Sequence, residues 1–97
     1  MKSTKQKVLE EVTEVLKTMT EIEGVTITLE CNPIENLALD SGHGIPFALE
    51  IEDRLSIVIP PEINPFVNDT PIPCARTVGE IVDLLIALSA KQDEAQK

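Results

Sequence analysis

The side chains able to do chemistry are few and gather near the middle of the chain. Asp40, Ser41 and His43 stand within four consecutive residues, and His43 is the single histidine. A serine and a histidine two residues apart cannot form the geometry of a hydrolase triad, and no Gly-x-Ser-x-Gly elbow is present. One histidine without further ligands at a suitable spacing does not make a metal site. We therefore predict no catalytic residue, no metal site and no enzymatic activity.

The two cysteines offer no chemistry of their own. Cys31 and Cys74 lie far apart, in a chain without a secretory signal, and neither has ligand spacing to His43. Such cysteines are usually reduced in the cytoplasm. We predict two unpaired thiols.

Asp-Ser-Gly at residues 40–42 favours the beginning of a helix, because Asp40 or Ser41 can cap one. Taken alone, this tripeptide is most often a turn or a cap and nothing more. A helix over residues 41–55 would gather one set of apolar side chains on a core face: Phe47, Ala48, Ile51 and Leu55. A second set would share the side that carries Ser41: Ile45, Leu49 and Glu52. Pro46 predicts that this helix starts late, near Ile45, or is irregular at its beginning.

Two further helices must flank this segment. Apolar residues at spacings of three and four predict a first helix over about residues 4–22, closed by Gly24. Thr77 and Glu80 form a capping box that opens the last helix. Its predicted buried face consists of Val78, Ile81, Val82, Leu85 and Leu88.

The connections between these helices are long. Residues 25–30 alternate apolar and polar side chains, but no second strand exists to pair with them, so we predict an extended loop. Asn32 and Pro33 turn the chain, and Ile34 and Leu37 can pin the loop to the core. Five prolines make residues 59–74 a loop, with a short helical turn over residues 62–67.

Length and charge limit the function. The chain has 97 residues, enough for one domain, with a core over about residues 4–90 and a frayed tail at 91–97. Eight basic and seventeen acidic side chains give a net charge of −9, which disfavours nucleic acid and anionic membranes and favours basic protein partners. No apolar run suits a signal peptide or a membrane span. We predict a soluble, cytoplasmic monomer.

Four segments, in their order and spacing, resemble the acyl carrier protein family. They are Ile-Glu-Asn-Leu-Ala-Leu-Asp-Ser at 34–41, Leu-Glu-Ile-Glu-Asp-Arg-Leu at 49–55, Ile-Val-Ile-Pro at 57–60, and Arg-Thr-Val-Gly-Glu-Ile at 76–81. The resemblance covers nearly the whole chain. It implies an all-α fold, a small three- to four-helix acyl-carrier-protein-like bundle with a long first loop and a proline-rich loop before the last helix.

The same resemblance implies a function for the Asp-Ser pair. Ser41 would be the attachment point of a 4′-phosphopantetheine arm, which a phosphopantetheinyl transferase moves from coenzyme A while Asp40 helps to hold the transferase's magnesium ion. The arm would carry an acyl group as a thioester between acyl-handling enzymes of lipid or secondary-metabolite biosynthesis. Basic patches of these partners would meet an acidic and apolar surface made of Ile45, Leu49, Glu50, Glu52 and Asp53. For any single one of these charges, the alternative is an ordinary solvated helix face.

Two departures from the family suggest a specialised carrier. Gly42, His43 and Gly44 follow the serine where the family usually has a leucine and then acidic or small residues, and the loop at residues 61–75 is longer and richer in proline. Gly42 and Pro46, close after Ser41, leave a second hypothesis open. The chain could be a carrier-like fold without the arm, acting as an acidic protein–protein interaction module.

Overall fold

The computed structural model describes residues 4–68 and 74–95. In this part of the chain the order of elements is α1 (Thr4–Met19), α2 (Pro33–Asn36), a 3-10 helix (Ser41–His43), α3 (Gly44–Leu55), β1 (Val67–Asn68), β2 (Cys74–Ala75) and α4 (Val78–Ala95). Helix α1 packs against both α3 and α4. The predicted all-α bundle, with its long first loop, is confirmed.

Helix α1 forms for the predicted reason but ends earlier. Its buried stripe consists of Val8, Val12, Val15 and Leu16. The helix stops at Met19 rather than near residue 22, and Gly24 adopts a left-handed φ of 70° in a turn beyond it without closing it. The Thr20 hydroxyl donates a hydrogen bond to the Leu37 carbonyl at 2.8 Å, which draws the chain out of the helix into the first loop.

The first loop contains a short helix that the sequence pattern did not predict. The Asn32 side-chain oxygen accepts hydrogen bonds from the amides of Ile34 and Glu35, at 2.9 and 3.2 Å, so Asn32 caps α2. Proline at the first position of a helix loses no hydrogen bond. Leu37 behind α2 is fully buried, as predicted. Residues 25–30 form the predicted loop, and no strand is assigned to them.

The predicted helical turn at residues 62–67 is wrong. Two turns replace it, closed by hydrogen bonds from Ile63 N to Pro60 O and from Val67 N to Asn64 O. Pro65 disfavours a helical conformation for the residue before it, and the Asn64 side chain accepts from Phe66 N in place of a helical carbonyl. Strands β1 and β2 then pair antiparallel, with Val67 opposite Ala75. Residues 69–73 of the predicted loop lie outside the described residues.

Helix α4 begins with the predicted capping box. Thr77 N donates to Glu80 Oε1 at 2.9 Å, and Glu80 N donates to Thr77 Oγ1 at 3.2 Å. The predicted buried face is confirmed, since all five of its side chains are buried. The helix continues to Ala95, well into the tail that was expected to fray, while residues 96 and 97 lie outside the described part.

Aliphatic side chains and one aromatic pair fill the core. The rings of Phe47, on α3, and Phe66, in the loop before β1, have centroids 5.0 Å apart and are both fully buried. Cys31 is buried and Cys74 exposed, and both thiols are free, as predicted. Within residues 4–68 and 74–95, no helix has the length and apolar character needed to span a membrane.

Candidate functional site

Asp40 is the residue that begins the central turn. Its backbone is extended, with φ −115° and ψ 176°, and its Oδ1 accepts a hydrogen bond from His43 N at 3.2 Å. His43 completes the box, because Asp40 N donates to His43 Nδ1 at 3.0 Å. The same Nδ1 lies 3.1 Å from Asp40 Oδ1, so two atoms of Asp40 contact this nitrogen. His43 therefore serves the turn as a capping residue.

Ser41 follows directly as the first residue of the 3-10 helix, and its side chain is exposed. None of the residues of the 3-10 helix is buried. Since Asp40 supplies the cap, the Ser41 hydroxyl is not needed to close the turn. Negative charge is favoured near a helix N-terminus, and α3 continues immediately from this turn. The turn thus presents a hydroxyl to solvent at a point suited to carry a phosphate ester.

The irregular start of the helix was predicted and is confirmed. The turn changes from 3-10 to α geometry at Gly44, one residue before the expected start. Pro46 is the third residue of α3, within the first turn, where the missing amide would have no partner in the helix.

Helix α3 separates its two predicted faces only in part, because Ala48 and Leu55 of the predicted core face are half-buried. Phe47 and Ile51 are fully buried, whereas Ile45 and Leu49 on the other face are 65% and 63% exposed. Together with the chain after α3 they line an open groove of about 300 Å³. Its lining residues are Ile45, Ala48, Leu49, Glu52, Ile59, Pro60, Pro61 and Ile63. An exposed apolar groove of this kind can take an apolar chain or side chains of a partner protein.

The three predicted acidic residues of α3 have different surroundings. Glu52 is half-buried, and its Oε2 accepts a hydrogen bond from Ile59 N at 2.7 Å, so it holds the segment after the helix. Glu50 is exposed and accepts from Arg54 Nε at 3.1 Å. Asp53 is exposed. Glu50 and Asp53 are therefore the two that lie open to a basic partner.

Arg54 links α3 to α1. Its Nη1 lies 3.4 Å from carboxylate oxygens of both Glu11 and Glu14. The hydrogen bond to Glu50 is the main cause that raises the pKa of the Arg54 guanidinium; desolvation opposes it, and the carboxylates of α1 add to the rise. This cluster ties the last turn of α3 to α1.

Sequence reasoning missed the role of His43, which it considered only as a catalytic or metal-binding residue. The signal was present: His43 stands three residues after Asp40, the spacing of a capping box. Among the described residues, no group of three or more His, Cys, Asp or Glu side chains could hold a metal ion. The arrangement leaves the Ser41 side chain exposed at the start of the turn.

Comparison with known proteins supports the predicted resemblance. The acyl carrier protein of Rhodococcus erythropolis is 26% identical over 96 residues, covering 99% of this chain and 97% of the relative. The meromycolate extension acyl carrier proteins of Mycobacterium leprae and Mycobacterium tuberculosis are each 27% identical over 95 residues, covering 98% of this chain and 76% of the relative. No family model matches the chain. No solved structure matches it. The chain thus resembles acyl carrier proteins over nearly its whole length.

Proposed function

We propose that this chain is a specialised acyl carrier protein on which Ser41 carries a 4′-phosphopantetheine arm. The observation that carries the proposal is the exposed Ser41 side chain at the start of the turn into α3, where Asp40 supplies the cap. The resemblance of residues 34–41 to the family's Asp-Ser segment points to the same serine. When attached, the arm supplies a thiol that holds an acyl group as a thioester. The chain itself performs no chemistry.

The residues present fit such a group. The side chain of Ser41 is exposed, and Gly42 beside it presents no side chain that could cover the hydroxyl. In the transfer, Ser41 Oγ forms a bond to the phosphorus of coenzyme A, the phosphoanhydride bond breaks and the nucleotide part leaves. Since His43 Nδ1 is engaged by Asp40, we expect a group of the transferase to accept the hydroxyl proton. Asp40, with its side chain 77% exposed, would help to hold the transferase's magnesium ion.

The partners follow from charge and exposure. Ile45 and Leu49 offer apolar contacts beside Ser41, while Glu50 and Asp53 offer exposed carboxylates on the same helix. With a net charge of −9, the surface suits acyl-handling enzymes with basic patches. Glu52 contributes through the position of Ile59 and not mainly as a contact. We propose that the carrier serves lipid or secondary-metabolite biosynthesis, as a cytoplasmic monomer.

Intact-mass measurement tests the proposal. The wild type is incubated with coenzyme A, magnesium and a broad-specificity phosphopantetheinyl transferase, beside Ser41→Ala and Ser56→Ala. Ser56 is a matched control because it is also exposed and lies at the other end of the same helix. We expect the mass of one arm on the wild type and on the Ser56 variant, and none on the Ser41 variant.

Other outcomes would contradict the proposal in different ways. A mass gain that persists in Ser41→Ala would place the attachment point elsewhere. A wild type that gains no mass with any of several transferases would favour the interaction module without an arm.

A further inference from the structure

Asn64 connects the proline-rich loop to the Ser41 turn. Its side-chain Nδ2 donates a hydrogen bond to the Ser41 carbonyl at 2.8 Å, across 23 residues of sequence. Its Oδ1 accepts from Phe66 N at 2.9 Å. The side-chain amide of Asn64 therefore donates to the turn and accepts from the loop.

The backbone of Asn64 is held as firmly as its side chain. Its carbonyl accepts from Val67 N at 3.2 Å and from Arg76 Nη1 at 3.3 Å. Arg76 N in turn donates to the Phe66 carbonyl at 2.8 Å. Phe66 is fully buried against Phe47 of α3. Asn64 thus stands on a rigid base that is anchored in the core.

Gly44 makes this contact possible. A Cβ built on Gly44 would overlap the Asn64 side chain at Oδ1. The Gly44 backbone lies in the ordinary right-handed region, with φ −62° and ψ −29°, so glycine is not needed there for its conformation. Glycine stands at the first position of α3 because the Asn64 side chain occupies the space that a Cβ would fill.

We propose that Asn64 is the positioning residue of the modification site, which holds the Ser41 peptide in the arrangement that the transferase recognises. This inference rests on the proposed function. The Ser41 carbonyl accepts from both the Gly44 amide and Asn64 Nδ2, so the peptide that follows the reactive serine is fixed from two sides. The Asp40–His43 box fixes the two ends of the turn, and Asn64 adds the contact that fixes the Ser41 peptide between them.

The kinetic consequence is specific. If the turn samples other conformations, only a fraction of the molecules is competent to bind the transferase, and the apparent affinity falls by that fraction. The chemistry after binding is unchanged. Loss of the Asn64 bond should therefore raise KM for the carrier and leave kcat nearly as it was.

Two variants break the contact from opposite sides. Asn64→Asp keeps the acceptor for Phe66 N but removes the donor to the Ser41 carbonyl. Gly44→Ala leaves Asn64 intact but displaces its side chain. Asn36→Asp is the matched control, since Asn36 Oδ1 also accepts a backbone amide, from Asn32, and the change adds the same charge at α2. Each variant is assayed for kcat and KM in transfer from coenzyme A, for thermal unfolding, and for the NMR carbonyl shift of Ser41.

We expect Asn64→Asp and Gly44→Ala each to lower kcat/KM about threefold to tenfold through KM, the factor that one net hydrogen bond supplies. Both should move the Ser41 carbonyl shift, and Asn36→Asp should change neither quantity. The double variant should lose little more than the stronger single one, because both changes remove the same contact.

Clear results would overturn the inference. If both single variants unfold at lower temperature yet keep wild-type kcat/KM, Asn64 is only a structural residue of the loop, and the proposed function stands. If Asn36→Asp loses as much as Asn64→Asp, added charge explains the effect. If the wild type accepts no arm from any transferase, the proposed function fails and this inference fails with it.

Discussion

The 3-10 turn that leads into α3 and the beginning of α4 are capped in the same way, with opposite results. Each opens with a reciprocal capping box, Asp40 with His43 and Thr77 with Glu80. The first residue after the cap differs: Ser41 is exposed, whereas Val78 is fully buried. One box presents a residue to solvent, and the other drives a residue into the core.

The surroundings of the two boxes explain this difference. At α4 the first loop covers the helix end, because Val78 N donates to Cys31 O at 2.7 Å and Gly79 N donates to Leu29 O at 2.8 Å. At α3 the turn is reached by a side chain, Asn64, which bonds the Ser41 carbonyl and leaves the serine side chain exposed. A chemical site needs a fixed backbone and an accessible side chain, and the α3 box has both.

Truncating the first residue after each cap should separate stability from modification. We expect Val78→Ala to destabilise the fold by about 2 kcal/mol, because it removes buried methyl groups and leaves a cavity. Its ability to accept the arm should remain. Ser41→Ala should cost less than about 0.5 kcal/mol, as an exposed residue without a cap role, and should abolish the mass gain.

Urea unfolding and intact mass on the same preparations check this pair. Equal losses of stability would mean that Ser41 has structural contacts comparable to those of Val78. A Val78 variant that is folded but unmodified would show that the two helix ends are coupled.

Removing the two caps should give a smaller difference in the free energy of unfolding. Thr77→Ala should cost about 1 kcal/mol, the usual value for an N-cap, since α4 starts directly from it with a buried residue. Asp40→Ala should cost about half as much, because it releases an exposed 3-10 turn while α3 itself begins at Gly44. Chemical unfolding with a constant m-value measures both. Equal costs for the two caps would contradict the view that the α3 box is peripheral to the core.

Local patterns predicted the two boxes unequally. The Thr77 box and the buried face of α4 followed from spacing alone, because both depend on residues three or four apart. The Asp40 box depends on an equally local spacing, but its last member is a histidine instead of the usual Glu or Gln, and so it was not recognised. That omission came from expecting chemistry from an isolated histidine.

Other features could not be predicted from local patterns. The chain leaves α1 where Thr20 bonds to Leu37, 17 residues away. The Ser41 carbonyl accepts a hydrogen bond from Asn64, 23 residues away. Such partners are brought together only by the packed bundle. The short pairing of β1 with β2 likewise depends on where Phe66 anchors the loop.

The smallest contrast concerns the glycines that occupy the second helical position after each cap. A Cβ on Gly79 would lie 3.2 Å from the Leu29 backbone carbonyl, whereas a Cβ on Gly42 would meet the exposed Asp40 side chain at 3.1 Å. Alanine gains up to about 1 kcal/mol over glycine inside a helix. A backbone carbonyl moves less easily than a side chain. The free energy of unfolding of Gly79→Ala should therefore be about 0.5 kcal/mol lower than that of Gly42→Ala. Thermal unfolding of the two variants checks the order. The opposite order would mean that the first loop yields more readily than the Asp40 cap, and that the α3 turn is the more rigid of the two helix beginnings.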